Sequence, residues 1–166
     1  LGNTDVAGLH KDHLREHGWI VYPRSKTAIG RRIPLWPEVS AAIKVAPTRN
    51  PASDDYAGLV FLTVNRAPWV RTGIRSNDEI TKTFRKLLNS TGLYRRGLSF
   101  YSLRHVFATI ADEVRDPVAV SAILGHADAS MGAIYRERVE DSRLVAVSEH
   151  VRKWLDWKPT DEDAEG

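Results

Sequence analysis

The fold is decided by three pieces of sequence that follow one another: Tyr101-Ser-Leu-Arg104-His105, Leu124-Gly125-His126 and Tyr135. Tyr101 and Arg104 are three residues apart, so on a helix they share a face. The planar guanidinium of Arg104 matches two oxygens of a phosphodiester. A glycine before His126 allows the left-handed turn that ends a helix and would direct the imidazole back toward Arg104. The order predicts a phosphate-binding cation, a second donor and a nucleophile.

Each of these residues also has a structural explanation when it is taken alone. Arg104 could form a surface ion pair, and His126 could interact with the dipole at a helix C-terminus. Tyr135 could be a partly buried aromatic on a short amphipathic helix, the commoner fate of a tyrosine. Its reference pKa of about 10 makes it a poor nucleophile unless nearby cations favour the phenolate.

A predicted hairpin adds a lysine to this set. Trp19 to Tyr22 is rich in strand formers, the next five residues turn the chain, and Ile29 to Leu35 returns as a second strand. Lys26 would then sit at the hairpin tip, where it could reach a minor groove, protonate an alkoxide leaving group, or simply be solvated. Four arginines are candidates for DNA contacts in the same region or beside Tyr135: Arg24, Arg31, Arg32 and Arg136.

Local signals predict a mostly helical chain with a small antiparallel sheet near the N-terminus, an α+β fold. In the first half of the chain, residues 4–10 are predicted to end a helix, 37–46 to form a helix opened by Pro37, and a third helix to follow the capping-box spacing of Ser76 to Glu79. In the second half, helices are predicted for Tyr101 to Glu113 with Ser99 as cap and for Pro117 to Gly125 with Asp116 as cap. A short helix carrying Ile134 and Tyr135 and a last helix from about Asp141 to Trp154 complete the set. Leu59 to Leu62 is predicted as a short buried strand.

Composition excludes several classes of protein and site. The chain has no cysteine, so disulfides and thiolate metal sites are excluded. It contains no apolar run long enough to span a membrane, no glycine-rich phosphate loop and no acidic cluster of the kind that two-metal nucleases need. The net charge is +3, and the tail from Lys158 carries −3, which leaves +6 on the body. A basic body favours a polyanionic partner, and we expect a cytoplasmic protein.

The 166 residues suit one domain, predicted at 1–157, followed by an acidic and disordered tail at 158–166. The first residues, Leu1 to Asn3, lack a methionine and lead directly into predicted structure. We therefore expect the chain to be a fragment of a longer protein.

The segment from Leu98 to Tyr135, together with the Lys26 hairpin, resembles the catalytic domain of tyrosine recombinases, the phage integrase family. The family pattern of H-x-x-R, a later L-G-H and a tyrosine about nine residues on is matched by Arg104, His126 and Tyr135. Tyr101 stands where the family usually has the first histidine, and its hydroxyl can still donate to a phosphate oxygen. Lys26 stands at the place of the hairpin lysine.

A second departure concerns the family's first arginine, which lies three residues before an acidic residue. Asp5 resembles that acidic residue, and this places Gly2 at the arginine position. Either glycine replaces the arginine, or the register slips, or another arginine substitutes. By analogy with the loss of a donor from an oxyanion hole, the loss of one phosphate-binding arginine would cost ~3–4 kcal/mol of transition-state stabilisation.

The resemblance implies a site-specific recombinase or integrase that cleaves and rejoins double-stranded DNA through a 3′-phosphotyrosyl intermediate on Tyr135. Arg104, His126 and Tyr101 would stabilise the phosphate, Lys26 would act as general acid, and no cofactor or metal would be needed. Four protomers would act on two duplexes. The alternatives are a non-catalytic DNA-binding relative and a type IB topoisomerase-like strand transferase. The target sequence, the mobile element served, the direction of recombination and any accessory proteins are not encoded in recognisable form.

Overall fold

The computed structural model describes residues 1–26, 28–73, 76–126 and 138–155. Its helices are α1 (Asn3–Ala7), α2 (Pro37–Val45), α3 (Glu79–Ser90), α4 (Ser102–Asp112), α5 (Pro117–Leu124) and α6 (Asp141–Trp154). The strands are β1 (Leu14–Arg15), β2 (Trp19–Val21), β3 (Arg32–Pro34), β4 (Val70–Arg71) and β5 (Asn77–Asp78). The predicted short helix with Tyr135, the candidate contact Arg136 and the acidic tail lie outside the described residues. The mostly helical α+β fold is confirmed.

An antiparallel sheet of β1, β2 and β3 lies near the N-terminus, as predicted. Ile20 pairs with Leu14 on one side and with Ile33 on the other. Backbone hydrogen bonds between Tyr22 and Arg31 extend the hairpin beyond its strands toward the turn that holds Lys26. Strand β1 was not predicted, because two residues are too short for a periodic signal.

Helices α4, α5 and α6 pack together around the main apolar core. The fully buried centre of this core consists of small or branched side chains, Ala111, Ala119 and Val147. Partly buried residues of β2 and β3, including Trp19 and Ile33, cover its edge, so the sheet rests on the helices. The residues that form this core recur at helical spacing, which is why their helices are readable in the sequence.

Two polar links tie α2 to α6. The indole N–H of Trp36 donates to the backbone oxygen of Ser148 at 3.0 Å and to its hydroxyl at 2.8 Å. Arg152 contacts both carboxylate oxygens of Glu38, with 3.1 Å from Nε to each. The segment after the hairpin is therefore fixed to the C-terminal helix by directional bonds as well as by packing.

Both ends of α5 agree with the sequence prediction. The Asp116 carboxylate accepts from the backbone N–H of Ala119 at 3.0 Å, and Pro117 opens the helix. Gly125 ends it with φ 66° and ψ 38°, the left-handed conformation that suits glycine. The position of His126 thus follows directly from a glycine C-cap.

Three local predictions were wrong. Ser99 does not cap α4, because the residue before that helix is Tyr101 and Ser99 instead donates its backbone N–H to the hydroxyl of Ser102 at 3.0 Å. The cap of α3 is Asp78, whose carboxylate accepts from the N–H of Thr81 at 2.9 Å, and not Ser76, because Asn77 and Asp78 pair with β4 instead. Leu59 to Leu62 forms no strand; Leu59 makes an isolated bridge to His10, and only Leu62 of the four is buried. The short apolar run lacks a full partner strand in the described structure.

Candidate functional site

Arg104 and His126 lie in contact, as their sequence context predicted. Arg104 is in the first turns of α4 and is only 8% exposed. One guanidinium nitrogen, Nη2, is 2.6 Å from the backbone oxygen of Leu124 and 3.2 Å from Nε2 of His126. The C-terminus of α5 thus holds both side chains, because its last carbonyls accept from the cation and its glycine cap turns His126 toward it.

The contact fixes which imidazole nitrogen carries the proton. A guanidinium has only donors, so Nε2 of His126 must accept, and the proton lies on Nδ1. Burial lowers the pKa of His126 below 6.5, and the positive charges of Arg104 and Arg24 lower it further. At neutral pH the imidazole is uncharged, and it presents Nδ1–H as a hydrogen-bond donor.

Arg24 joins this group from the hairpin. Its Nη1 donates to the backbone oxygen of Gly125 at 3.1 Å, one residue after the carbonyl that accepts from Arg104. Burial lowers the pKa of Arg104, Tyr101 acts against that shift, and Arg24 and Arg31 reinforce it by charge repulsion. Two arginines distant in sequence therefore converge on consecutive carbonyls.

Gly125 allows this close approach. A β-carbon at this position would lie 2.6 Å from Cδ of Arg31 and 3.2 Å from Cβ of Arg24. Those distances are shorter than ordinary carbon contacts, so a side chain would push the hairpin away from α5. The glycine serves both the left-handed turn and the contact between hairpin and helix.

Arg31 is buried and forms an ion pair with Asp5. Its Nη1 lies 3.0 Å from Oδ2 of Asp5, and its side chain is 0% exposed. The Asp5 carboxylate also accepts from the Gly2 N–H and from the N–H and hydroxyl of Ser25. Burial alone would raise the pKa of Asp5, but these hydrogen bonds, led by that of Arg31, hold it well below its usual range. The expectation that Arg31 contacts DNA does not fit this geometry, because the guanidinium is enclosed by protein.

Arg32 is also occupied within the protein. Its Nε and Nη2 each lie 2.8 Å from an oxygen of Asp141, and its guanidinium carbon lies 4.2 Å over the ring of Trp19. Arg138 shares the same carboxylate, and these two arginines lower the pKa of Asp141 to about 2. Arg32 therefore joins β3 to α6, and this pairing competes with the DNA contact that we expected of it.

A cleft of ≈ 600 Å³ opens beside the buried pair of Asp5 and Arg31. It is lined by Gly2, Asn3, Thr4, Asp5, Arg24, Ser25, Lys26 and Tyr101. Lys26 is exposed in the hairpin turn, and Tyr101 is 42% exposed at the start of α4. The ring of Tyr101 packs edge-on against His105, with centroids 5.1 Å apart. The structure thus brings Lys26 and Tyr101 to the rim of a cleft shared with Arg24.

The backbone of Gly2 also faces this cleft. A β-carbon at Gly2 would lie 3.7 Å from Cε2 of Tyr101 and 4.0 Å from Oδ2 of Asp5, both ordinary contact distances. Gly2 has φ −96°, which any residue adopts. A longer side chain at this position would therefore enter the site without backbone strain.

The sequence did not predict that Ser25 bonds to Asp5, or that the three hairpin arginines have different partners. The alternation of Arg31 and Arg32 along the strand was a usable signal, because adjacent strand residues point to opposite faces. Tyr135, the predicted nucleophile, and Arg136 lie outside the described residues, so their placement relative to this site stays a prediction.

Within the described ranges, no helix is long and apolar enough to cross a membrane. The same part of the chain holds no group of three or more histidines, cysteines or carboxylates that could bind a metal ion.

Comparison with known proteins identifies relatives of this fold. The model of the Phage integrase family matches residues 4–141. Among solved structures, the Tn1549 transposon integrase in complex with circular intermediate DNA is 20% identical, with a TM-score of 0.56. That match covers 88% of this chain and 52% of the integrase chain. A substituted form of the same integrase, in complex with transposon right end DNA, is also 20% identical, with a TM-score of 0.58, and is matched over 92% of this chain and 55% of its own.

This chain therefore spans about half the length of the solved integrase chains that it matches. No match is found among curated proteins. The family model covers most of the chain, from α1 to the first residue of α6, and includes the hairpin, Arg104, His126 and the segment up to Tyr135. Together with the α+β fold of a solved integrase, this coverage shows that the chain is a catalytic domain of the phage integrase family, the tyrosine recombinases.

Proposed function

We propose that this chain cleaves and rejoins double-stranded DNA at specific sites, with Tyr135 as the nucleophile. The observation that carries the proposal is the contact of Arg104 with His126 at the end of α5, where Arg24 also bonds. Arg24 lines the cleft that presents Lys26 and Tyr101. Each of these side chains offers a donor suited to a phosphate oxygen. Family membership supports the same reaction class.

In the proposed step, the phenolic oxygen of Tyr135 attacks a DNA phosphorus and loses its proton to water. The bond from phosphorus to the 5′ oxygen breaks, and a 3′-phosphotyrosyl link forms. Arg104 and the Nδ1–H of His126 stabilise negative charge on the non-bridging oxygens, and the Tyr101 hydroxyl adds a third donor. Lys26 gives a proton to the departing 5′ oxygen.

Rejoining follows as the reverse of this step. A 5′ hydroxyl, from the same strand or from a partner strand, attacks the phosphotyrosine and releases Tyr135. The covalent link conserves the energy of the broken bond, so the protein needs no nucleotide cofactor. We propose that recombination is carried out by a tetramer on two duplexes, and that the protein acts in the cytoplasm.

The test is capture of the covalent adduct. A tagged full-length protein that carries this chain is incubated with supercoiled plasmids bearing genomic fragments and then denatured. The adduct is divided into two portions, and only the portion for mass spectrometry is digested with nuclease. Mass spectrometry should find a nucleotide on Tyr135, and sequencing of the attached DNA should reveal the site. Tyr135→Phe should abolish the adduct; an adduct that survives this substitution contradicts the assignment.

Gly2, at the position where a cation is expected, favours one alternative, a DNA-binding relative that has lost cleavage. Such a protein would bind duplex DNA in a salt-dependent manner and form no adduct under any of these conditions. A topoisomerase-like enzyme would instead relax the plasmids as a monomer without preference among the fragments.

A further inference from the structure

Within the described residues, one of the three hairpin arginines forms no ion pair with a carboxylate. Arg31 pairs with Asp5, and Arg32 pairs with Asp141. Among the described residues, no carboxylate forms a salt bridge with Arg24, which is partly exposed and faces the cleft. Within that part of the chain, Nη1 of Arg24 donates to the backbone oxygen of Gly125.

Arg104 of α4 also forms no ion pair with a described carboxylate. It is 8% exposed, and its acceptors include the oxygen of Leu124 and the ring of His126. Two guanidinium groups bonded to consecutive carbonyls repel each other, since like charges in a partly buried site are screened poorly. The negative end of the α5 dipole offsets this repulsion only in part.

An anion placed between the two groups would remove the repulsion. A phosphodiester carries one negative charge over two non-bridging oxygens, and each guanidinium can still present N–H donors to it. The carbonyl bonds fix the two side chains before DNA arrives, so little order is lost on binding.

We propose that Arg24 and Arg104 form the two-arginine clamp on the scissile phosphate, and that Arg24 takes over the role of the cation missing at position 2. The inference rests on the proposed function for the reaction, although the phosphate site can be measured without it. Gly125 permits the arrangement, because a side chain there would collide with Arg31 and press on Arg24.

The position of Gly2 makes a rescue experiment available. An arginine at position 2 would start from an unstrained backbone, with its β-carbon at contact distance from Tyr101 and Asp5, and would extend into the same cleft. Gly2→Arg can therefore supply a second route for a cation to reach the phosphate.

The first test measures single-turnover cleavage on the DNA recovered by adduct capture. Arg24→Gln should slow cleavage at saturating DNA by roughly 100-fold, the effect of removing one donor from a charge-stabilising site. Arg24→Lys should fall between the two, since it keeps the charge and loses the fork. Arg15→Gln, an exposed arginine of β1, is the control for loss of one charge.

Rescue distinguishes a phosphate contact from a structural role. Gly2→Arg combined with Arg24→Gln should recover at least about 10-fold of the lost rate, because the new guanidinium replaces the missing donor. Cleavage by Arg24→Gln within about 3-fold of Arg15→Gln overturns the proposal, and so does a slow variant that Gly2→Arg does not improve.

The second test does not require cleavage. Inorganic phosphate is titrated into the chain while the imidazole of His126 is followed by NMR. The parent chain and Arg15→Gln should show saturable shifts, and Arg24→Gln should bind phosphate at least about 10-fold more weakly. Equal phosphate affinity in Arg24→Gln, or no saturable shift in the parent chain, overturns the clamp. If phosphate binds as expected but no protein forms an adduct, the clamp stands and the cleavage function fails.

Discussion

The Asp5–Arg31 pair supports the strongest prediction about stability. The two substitutions should differ in cost, because the partners left behind differ. Asp5→Asn replaces the carboxylate beside a fully buried guanidinium with a neutral amide, and the other acceptors of Arg31 are the oxygens of Tyr22 and Pro23, at the longer distances of 3.3 and 3.5 Å. Breaking a buried pair in this way costs about 3–5 kcal/mol. Arg31→Met keeps the aliphatic stem and leaves a carboxylate that retains three donors, so we expect about 2–3 kcal/mol.

Urea unfolding followed by fluorescence of the five tryptophans measures both costs. With an m-value of ~2 kcal/mol per M, a loss of about 3 kcal/mol lowers the midpoint by about 1.5 M. The double variant Asp5→Asn with Arg31→Met should cost at least about 2 kcal/mol less than the sum of the single variants. Single costs below about 1 kcal/mol, additive costs, or a larger cost for Arg31→Met would refute the reasoning.

The same pair sets an acid limit on stability. The pKa of Asp5 is lower in the folded chain than in the unfolded chain, where it is about 4. Its contribution is therefore fully present above pH ~4 and is lost as the pH falls further. Asp5→Asn should reduce the dependence of stability on pH in that acid range, and an unchanged dependence would contradict the hydrogen-bonding assignment.

Three further predictions follow from the site. Gly125→Ala should lower the stability of the fold by about 3 kcal/mol or more. Gly92 has a similar φ of 70° but no atom within 4 Å of a new β-carbon, so Gly92→Ala should lower it by about 1–2 kcal/mol. Equal shifts of the thermal midpoint would contradict the close packing at Gly125. The pKa of His126, measured by NMR in the absence of phosphate, should lie below 6.5. Because the unfolded chain then binds the proton at a higher pH than the folded chain does, the fold should lose stability as the pH falls below 6.5, and His126→Gln should reduce that loss. A pKa above 6.5 would contradict the effect of burial and of Arg104 and Arg24. Lys26→Gln should reduce the slope of log K against log salt for duplex DNA by about one. Arg32→Gln should leave that slope unchanged within about 0.5 and cost less than about 1 kcal/mol of stability. A matching decrease of the slope in Arg32→Gln would show that Arg32 contacts DNA.

The sequence predicted those parts of the fold that depend on local chemistry. Asp116 followed by Pro117, and Gly125 at the other end, specify α5 because a cap and a C-terminal turn act over three or four residues. The bounds of α6 were predicted from a different signal, the helical spacing of Leu144, Val147, Val151 and Leu155. Two short segments carry too little local signal: β1 has only two residues, and the apolar run ending at Leu62 is too short to show whether its period is that of a strand.

The site was only partly predictable for a different reason. Arg104 and His126 were identified because their motif is contiguous and the glycine cap between them has a known geometry. The three hairpin arginines had the same apparent value as DNA contacts, since charge alone does not distinguish them. Their partners Asp5, Asp141 and the carbonyl of Gly125 lie 26, 109 and 101 residues away. Only tertiary structure shows that, among the described residues, Arg31 and Arg32 have carboxylate partners and Arg24 has none.

The links from the hairpin and α2 to α6 have a consequence for local opening. The bidentate bond of Arg32 to Asp141 and the indole bond of Trp36 to Ser148 must both break before α6 can leave the sheet. Amide hydrogens of β2, β3 and α6 should therefore exchange with solvent at one common free energy, as a single cooperative unit. The turn around Lys26 lies beyond that unit and should exchange far faster. The protein thus fastens the base of the hairpin to its C-terminal helix.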